Sequence, residues 1–317
     1  MFSKYDAWNA MTKNGENIVI ATHYGPDGDA VGSSFALASA LAILGFKPKI
    51  IMDNYSNKFN AVRGKEFIYT AQDAASLPCD VFISLDCGDF SRIAAPKELF
   101  EKASITVNID HHISNNNFAK FNYVDVEAAS TCEIVFGLIN MFVPVDKYIA
   151  EAIYMGIVTD TGSFRFSATT SKTLRVVAML MDMNINFTEI QQRVVYNKTK
   201  TEIAIFTKAL QNLQYTESGI AYTTLSLQEM DDAKADFSDL DGIAEHLLNI
   251  NGIKISAFFT ERENSRTKVS FRSHTVDVNA VATSFGGGGH KFAAAATFDA
   301  HFSEGIAQVL DALEKVI

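Results

Sequence analysis

NIVIATHYGPDGDAVGSSFALASALAILG, residues 17–45, passes from a short apolar run rich in β-branched residues to a loop of Gly, Pro and Asp, and then to a long segment of small apolar residues. Residues 17–22 read as a strand and 30–45 as a helix, with the loop residues as punctuation between them. Working outward, β-favouring runs recur at 47–52 (KPKIIM), 80–85 (DVFISL) and 104–109 (SITVNI), separated by longer stretches. Strands alternating with helices predict an α/β fold with a parallel sheet. In open sheets of this kind, functional side chains gather beyond the carboxyl ends of the strands. Three of the four runs lead into such side chains: His23 after the first, Asp86 after the third, and Asp110, His111 and His112 after the fourth.

Composition narrows the function classes. A chain of 317 residues favours two domains with a crevice between them, where ligands tend to bind. The texture changes near residue 190. This predicts a catalytic domain over 1–190, a charged connecting helix over 191–210, and a smaller α/β domain over 211–317 with the active site in the crevice. The second domain has strand patterns at 219–226, 253–260 and 267–272, a helix pattern at 242–250, and the run FGGGGHKFAAAAT at 285–297. No segment offers the roughly 20 apolar residues of a membrane span, and the first seventeen positions lack the apolar run of a secretory signal. A soluble, cytoplasmic protein with no membrane partner is the expectation. A net charge of −10 excludes the broad basic surface needed to grip long nucleic acid. The three cysteines, Cys79, Cys87 and Cys132, have no zinc or disulfide spacing.

The chemistry concentrates in four places. His23, Asp27 and Asp29 fall within seven residues, between strand and helix. Two aspartates one residue apart can face two neighbouring ions, and Gly28 and Gly32 relieve crowding where the backbone turns. The same residues also suit a helix cap and turn. Asp86 lies in LDCGD, Asp110–His112 follow the next strand, and Asp160 lies in GIVTDTGSF. Each alone suits a cap or turn; together they predict one convergent site. Mixed carboxylate and imidazole ligation suits Mn²⁺ or a similar first-row ion better than Ca²⁺, with Mg²⁺ or Co²⁺ as substitutes.

D-H-H at 110–112, the H-x-x-P-D-G-D-A-V-G-S loop, L-D-C-G-D and V-T-D-T-G-S-F-R-F resemble, in order and spacing, the four motifs of the DHH phosphoesterases. The G-G-G-G-H run resembles their DHHA1 domain, and the residues after D-H-H are similar to the oligoribonuclease and pAp phosphatase branch. The resemblance implies that His23 and Asp27 hold one metal ion, that Asp29, His111 and Asp160 hold a second, and that Asp86 bridges them. Asp110 would orient the histidines. His112 would protonate the leaving oxygen or donate a hydrogen bond to phosphate. In the second domain, Arg272 and Ser273 match the family's substrate-binding pair. Gly286, Gly287, Gly288, Gly289 and His290 are expected to form an ordered loop that cradles a phosphate. The implied substrates are short RNA oligonucleotides and pAp, with cyclic dinucleotides or their linear products as the alternative, a catalytically silent nucleotide sensor as a third reading, and a homodimer as an expected assembly.

Overall fold

Strand β1 (Ile18–Ala21) is buried at all four positions. Because successive side chains of a strand point to opposite faces, Ile18 and Ile20 enter one apolar core while Val19 and Ala21 enter another. A strand buried on both faces reads as an unbroken apolar run, which is why it was legible. The computed structural model describes residues 3–70, 74 and 76–317, in two units, Met1–Asn197 and Lys198–Ile317.

In the first unit, β1 joins β2 (Lys49–Ile51), β3 (Ile68–Tyr69), β4 (Val81–Leu85), β5 (Ile105–Asp110) and β6 (Phe121–Val124) in the order β3-β2-β1-β4-β5-β6. All five pairings are parallel. Both edge strands escape the sequence pattern: β3 spans two residues, and β6 is only half-buried along its length.

The helices of this unit are α1 (Lys4–Thr12), α2 (Gly28–Ile43), α3 (Lys97–Lys102), α4 (Thr131–Ile139), α5 (Lys147–Asp160), α6 (Ser171–Asp182) and α7 (Phe187–Gln191). Three glycines let α2, α4 and α5 approach closely. A methyl group on Gly32 would collide with the Ala152 carbonyl, one on Gly156 with Cys132 Sγ, and one on Gly28 with Thr159. The start of α2 therefore meets the end of α5, so that Asp29 and Asp160, far apart in sequence, become neighbours.

The connecting helix expected over 191–210 is interrupted. A π-helical turn (Gln192–Tyr196) follows α7, and a new helix, α8 (Lys200–Gln211), starts after it. The cause is a capping box: the Thr199 hydroxyl accepts from Glu202 N, and the Glu202 carboxylate accepts from Thr199 N at 2.5 Å.

The second unit holds β7 (Gln214–Tyr215), β8 (Ile220–Leu225), α9 (Leu227–Asp232), α10 (Ile243–Leu248), β9 (Ile255–Arg262), β10 (Arg266–Ser273), α11 (Val278–Ser284), β11 (Gly288–His290), β12 (Ala293–Asp299) and α12 (Phe302–Glu314). The sheet runs β11-β12-β10-β9-β8-β7, antiparallel except for the β8–β9 pair. Phe259, Val269 and Phe271 pack with α11 and α12 on one face. Phe258 packs with residues of α8, α9 and α10 on the other. Among the described residues, no helix is long and apolar enough to cross a membrane.

Candidate metal centre

Three loops, at the carboxyl ends of β1, β4 and β5, together with the end of α5, bring the acids and histidines together. His23 follows β1, Asp86 follows β4, His111 and His112 follow β5, and Asp160 is the last residue of α5. Possible ligand atoms of His23, Asp27 and Asp86 all lie within 4.8 Å of one another, as do those of Asp29, His111 and Asp160, and those of Asp86, His111 and His112. Asp86 is the hub. Its carboxylate is 3.7 Å from His23 Nε2, 3.6 Å from His111 Nε2 and 3.7 Å from His112 Nδ1, and His111 Nε2 is 3.4 Å from Asp160. Asp86 is buried and has a φ of 55°, in the left-handed region that costs a non-glycine residue about 1 kcal/mol. The surrounding fold holds it there, with Asp86 N donating to the Ile109 carbonyl.

The rings are aimed from behind. His23 Nδ1 bonds the Tyr24 carbonyl at 2.9 Å and His111 Nδ1 the Ala128 carbonyl at 3.3 Å, so that each turns Nε2 inward. Asp110 is fully buried and holds His112, whose Nδ1 donates to it at 2.7 Å. The other Asp110 oxygen accepts from Asn115 at 2.6 Å. Asp110 therefore orients one histidine, and a backbone carbonyl orients the other. Asp27 serves as a cap as well as a cluster member: Oδ1 accepts from Asp29 N and Ala30 N.

Thr131 and Asn115 are roles that the sequence reading missed. Thr131 N and Cys132 N, at the start of α4, donate to Asp29 at 2.6 and 2.8 Å, and the Thr131 hydroxyl donates to Asp86 at 3.0 Å. The pattern Ser130-x-x-Glu133 marks a helix start whose unpaired N–H groups attract a carboxylate. Which carboxylate they receive is set in three dimensions.

Burial and the neighbouring Asp86 push the carboxyls of Asp29 and Asp160 well above their usual range. Burial also opposes ionisation of Asp86, yet the three histidines around it hold its carboxyl below the ordinary value. For His112, desolvation disfavours the charged ring, but Asp110, Asp86 and Asp160 outweigh it and raise the group to about 9. Among the described residues, no lysine or arginine is paired with Asp27, Asp29, Asp86 or Asp160. A carboxylate cluster with Asp29 and Asp86 buried and no lysine or arginine beside it fits bound cations, and this donor set is able to supply their ligands.

The second unit treats its motif residues differently. The Ser273 hydroxyl donates to the Lys254 carbonyl at 2.8 Å and accepts from Thr275 N and Val276 N at 3.2 and 2.9 Å. It is buried as the linchpin of a turn, and its hydroxyl is engaged with three backbone groups. Arg272 Nε donates to Glu245 at 2.6 Å. The glycine run is corrected: Gly288–His290 form edge strand β11, paired with Ala293–Ala295, in place of a loop. A methyl group on Gly287 or Gly289 would strike the backbone of β12, so these glycines serve strand-to-strand approach.

The model of the DHH family N-terminal domain matches residues 17–157, and that of the DHHA1 domain matches 217–317. The chain is 34% identical to a Thermus thermophilus protein named bifunctional oligoribonuclease and PAP phosphatase NrnA, over 88% of this chain and 83% of that one. It is 26% identical to a Bacillus subtilis protein of the same name, over 89% of each. A solved exopolyphosphatase-related protein from Bacteroides fragilis superposes with a TM-score of 0.90 at 25% identity, covering 98% of this chain and 96% of that one. With both domain models matched in order, and with this identity across most of its length, the chain belongs to the DHH family of phosphoesterases and is a hydrolase.

Proposed function

We propose that this hydrolase removes the 3′-phosphate of pAp to leave AMP and cleaves very short oligoribonucleotides to mononucleotides, using two divalent cations, manganese by preference. One observation carries the reading: four carboxylates and three imidazoles converge at the strand ends with no lysine or arginine paired to them among the described residues. The names of the Thermus thermophilus and Bacillus subtilis relatives supply the substrate class. His23 and Asp27 are assigned to one cation, Asp29, His111 and Asp160 to the other, and Asp86 to both. Bound there, the cations would supply charge for the phosphoryl oxygens and acidify a water.

The chain's own groups do the rest. Asp110 keeps the His112 ring fixed and favours its protonated form, so that His112 can give a proton or a hydrogen bond to the leaving oxygen. Residues 1–190 are assigned to catalysis and 211–317 to substrate selection. In the latter, Arg272 would exchange Glu245 for a phosphate, and Gly287 with the edge strand Gly288–His290 would contact the substrate.

The test is manganese-dependent turnover of pAp, a diribonucleotide, a pentaribonucleotide, cyclic di-AMP and a longer single strand, with Asp86→Ala as control. AMP from pAp and mononucleotides from the short RNAs, absent in the control, are expected. Tight binding of pAp or dinucleotide without turnover under manganese would sink the proposal in favour of a sensor.

A further inference from the structure

A cavity of about 940 Å³ opens in the first unit beside the metal centre. Its walls come from the segments that follow β1, β2 and β4 and from β3 with Thr70, so it sits at the same carboxyl edge of the sheet. The two places adjoin along the chain: His23 belongs to the metal cluster, and its neighbour Tyr24 lines the cavity. The wall at 90–97 is pinned to β1, because Tyr24 N donates to the Arg92 carbonyl at 2.9 Å and Ala94 N to the Thr22 carbonyl at 2.8 Å. A bridge between His23 and Ile93 completes this seam. Asp53 ties the segment after β2 to the loop after β1, accepting from Gly25 N at 3.4 Å. The cavity and the metal centre are thus parts of one tied edge.

Its lining has a chemical bias. Tyr24, Tyr55, Tyr69 and Phe90 offer aromatic surfaces, Asn57 offers a side-chain amide, and Lys65 offers a cation. Tyr24 is 62% exposed and Tyr69 37%, so both rings stand partly open to an incoming group. Aromatic faces stack on any base, amides meet the donors and acceptors of a base edge, and an ammonium meets phosphate. The volume is at the upper end of small-molecule sites, with room for a nucleotide. Neither the motif residues nor the assignments above use this cavity.

We propose that the cavity is a second nucleotide subsite, taking the base that a dinucleotide has and pAp lacks. The inference rests on the proposed reading of the metal centre and extends it. Stacking in the cavity would favour substrates of two or more nucleotides while leaving pAp indifferent to the cavity.

The experiment uses the full chain loaded with manganese and the variants Tyr69→Ala and Asn57→Ala, with thermal melts confirming their folding. KM for a diribonucleotide is expected to rise about 10-fold in Tyr69→Ala, as loss of one stacking surface implies, and to rise to a smaller extent in Asn57→Ala. KM for pAp should stay within about 2-fold, since its single base does not use the stacking surface. A parallel measurement follows quenching of a diribonucleotide carrying 2-aminopurine, added to metal-free protein. Quenching should persist in Asp86→Ala and be lost in Tyr69→Ala. If the wild type hydrolyses neither substrate but this quenching pattern holds, the hydrolytic reading fails and the subsite stands. Equal quenching in wild type and Tyr69→Ala, or KM values for pAp and dinucleotide that rise together, overturns the subsite even where hydrolysis is intact.

Discussion

The strand-end cluster of the first unit and the arginine-glycine region of the second are both motif-rich, yet they are chemically opposite. Around Asp86, like charges crowd together and the protein supplies no lysine or arginine to neutralise them. Around Arg272, Ser273 and Gly287–His290, charges and polar groups already have partners: Glu245 for the guanidinium, a carbonyl and two amides for the hydroxyl, and β12 for the glycine strand. Polar groups that are satisfied internally are explained by the fold, whereas crowded carboxylates that no lysine or arginine balances cost stability and are accounted for by a bound cation. The contrast separates a cluster that calls for cations from a region whose groups are already paired, without appeal to motif identity.

The largest effect should come from the hub. Asp86→Asn is expected to lower manganese-dependent turnover on the order of 10³-fold or more, as loss of a group acting with its whole cluster does, while circular dichroism stays native. Near-normal turnover would break the contrast outright.

Next comes the support behind the cluster. Thr131→Val keeps the shape but deletes the hydrogen bond to Asp86, and manganese affinity measured by calorimetry should fall about 10- to 100-fold, the usual toll of losing a group that orients a ligand. Unchanged affinity would show that the α4 backbone amides suffice.

Gly156→Ala forces a methyl group against Cys132 Sγ and close to Asp29 Oδ1. Urea denaturation should register a loss of about 1–3 kcal/mol, the cost of overpacking. A neutral result would show that α5 can slide without disturbing Asp160.

Ser273→Ala sharpens the contrast from the other side. It leaves Thr275 N and Val276 N without their acceptor, so stability should drop by about 1–2 kcal/mol with KM unchanged. A raised KM at full stability would return Ser273 to the substrate. The smallest effect is reserved for Glu245→Gln: its pairing with Arg272 is partly exposed, so stability should shift by less than about 1 kcal/mol, and any fall in KM would mark Arg272 as freed for phosphate.

Much of the fold was legible because its central strands are buried on both faces and therefore spell continuous apolar runs. β1, β4 and β5 fall within a residue or two of their expected bounds. Other strands were not legible: edge strand β3 is too short to carry a period, and edge strand β11 and its neighbour β12 are rich in glycine and alanine, which carry little strand signal and are held by pairing. The break at Asn197–Thr199 was present in the sequence as Thr199-x-x-Glu202, but a charged apolar rhythm on both sides masked it.

The sequence alone determined which side chains are ionisable and that each stands at an end of a strand or helix, because local periodicity and chain order are sufficient for that. Only the tertiary structure decided that Asp29 meets Asp160 across the glycine contacts of α2 and α5, that the start of α4 holds Asp29 and Asp86, and that Ser273 faces inward. The first two depend on contacts between residues 45 to 131 positions apart, and the choice of partner at such separations is made by packing, which no local pattern records.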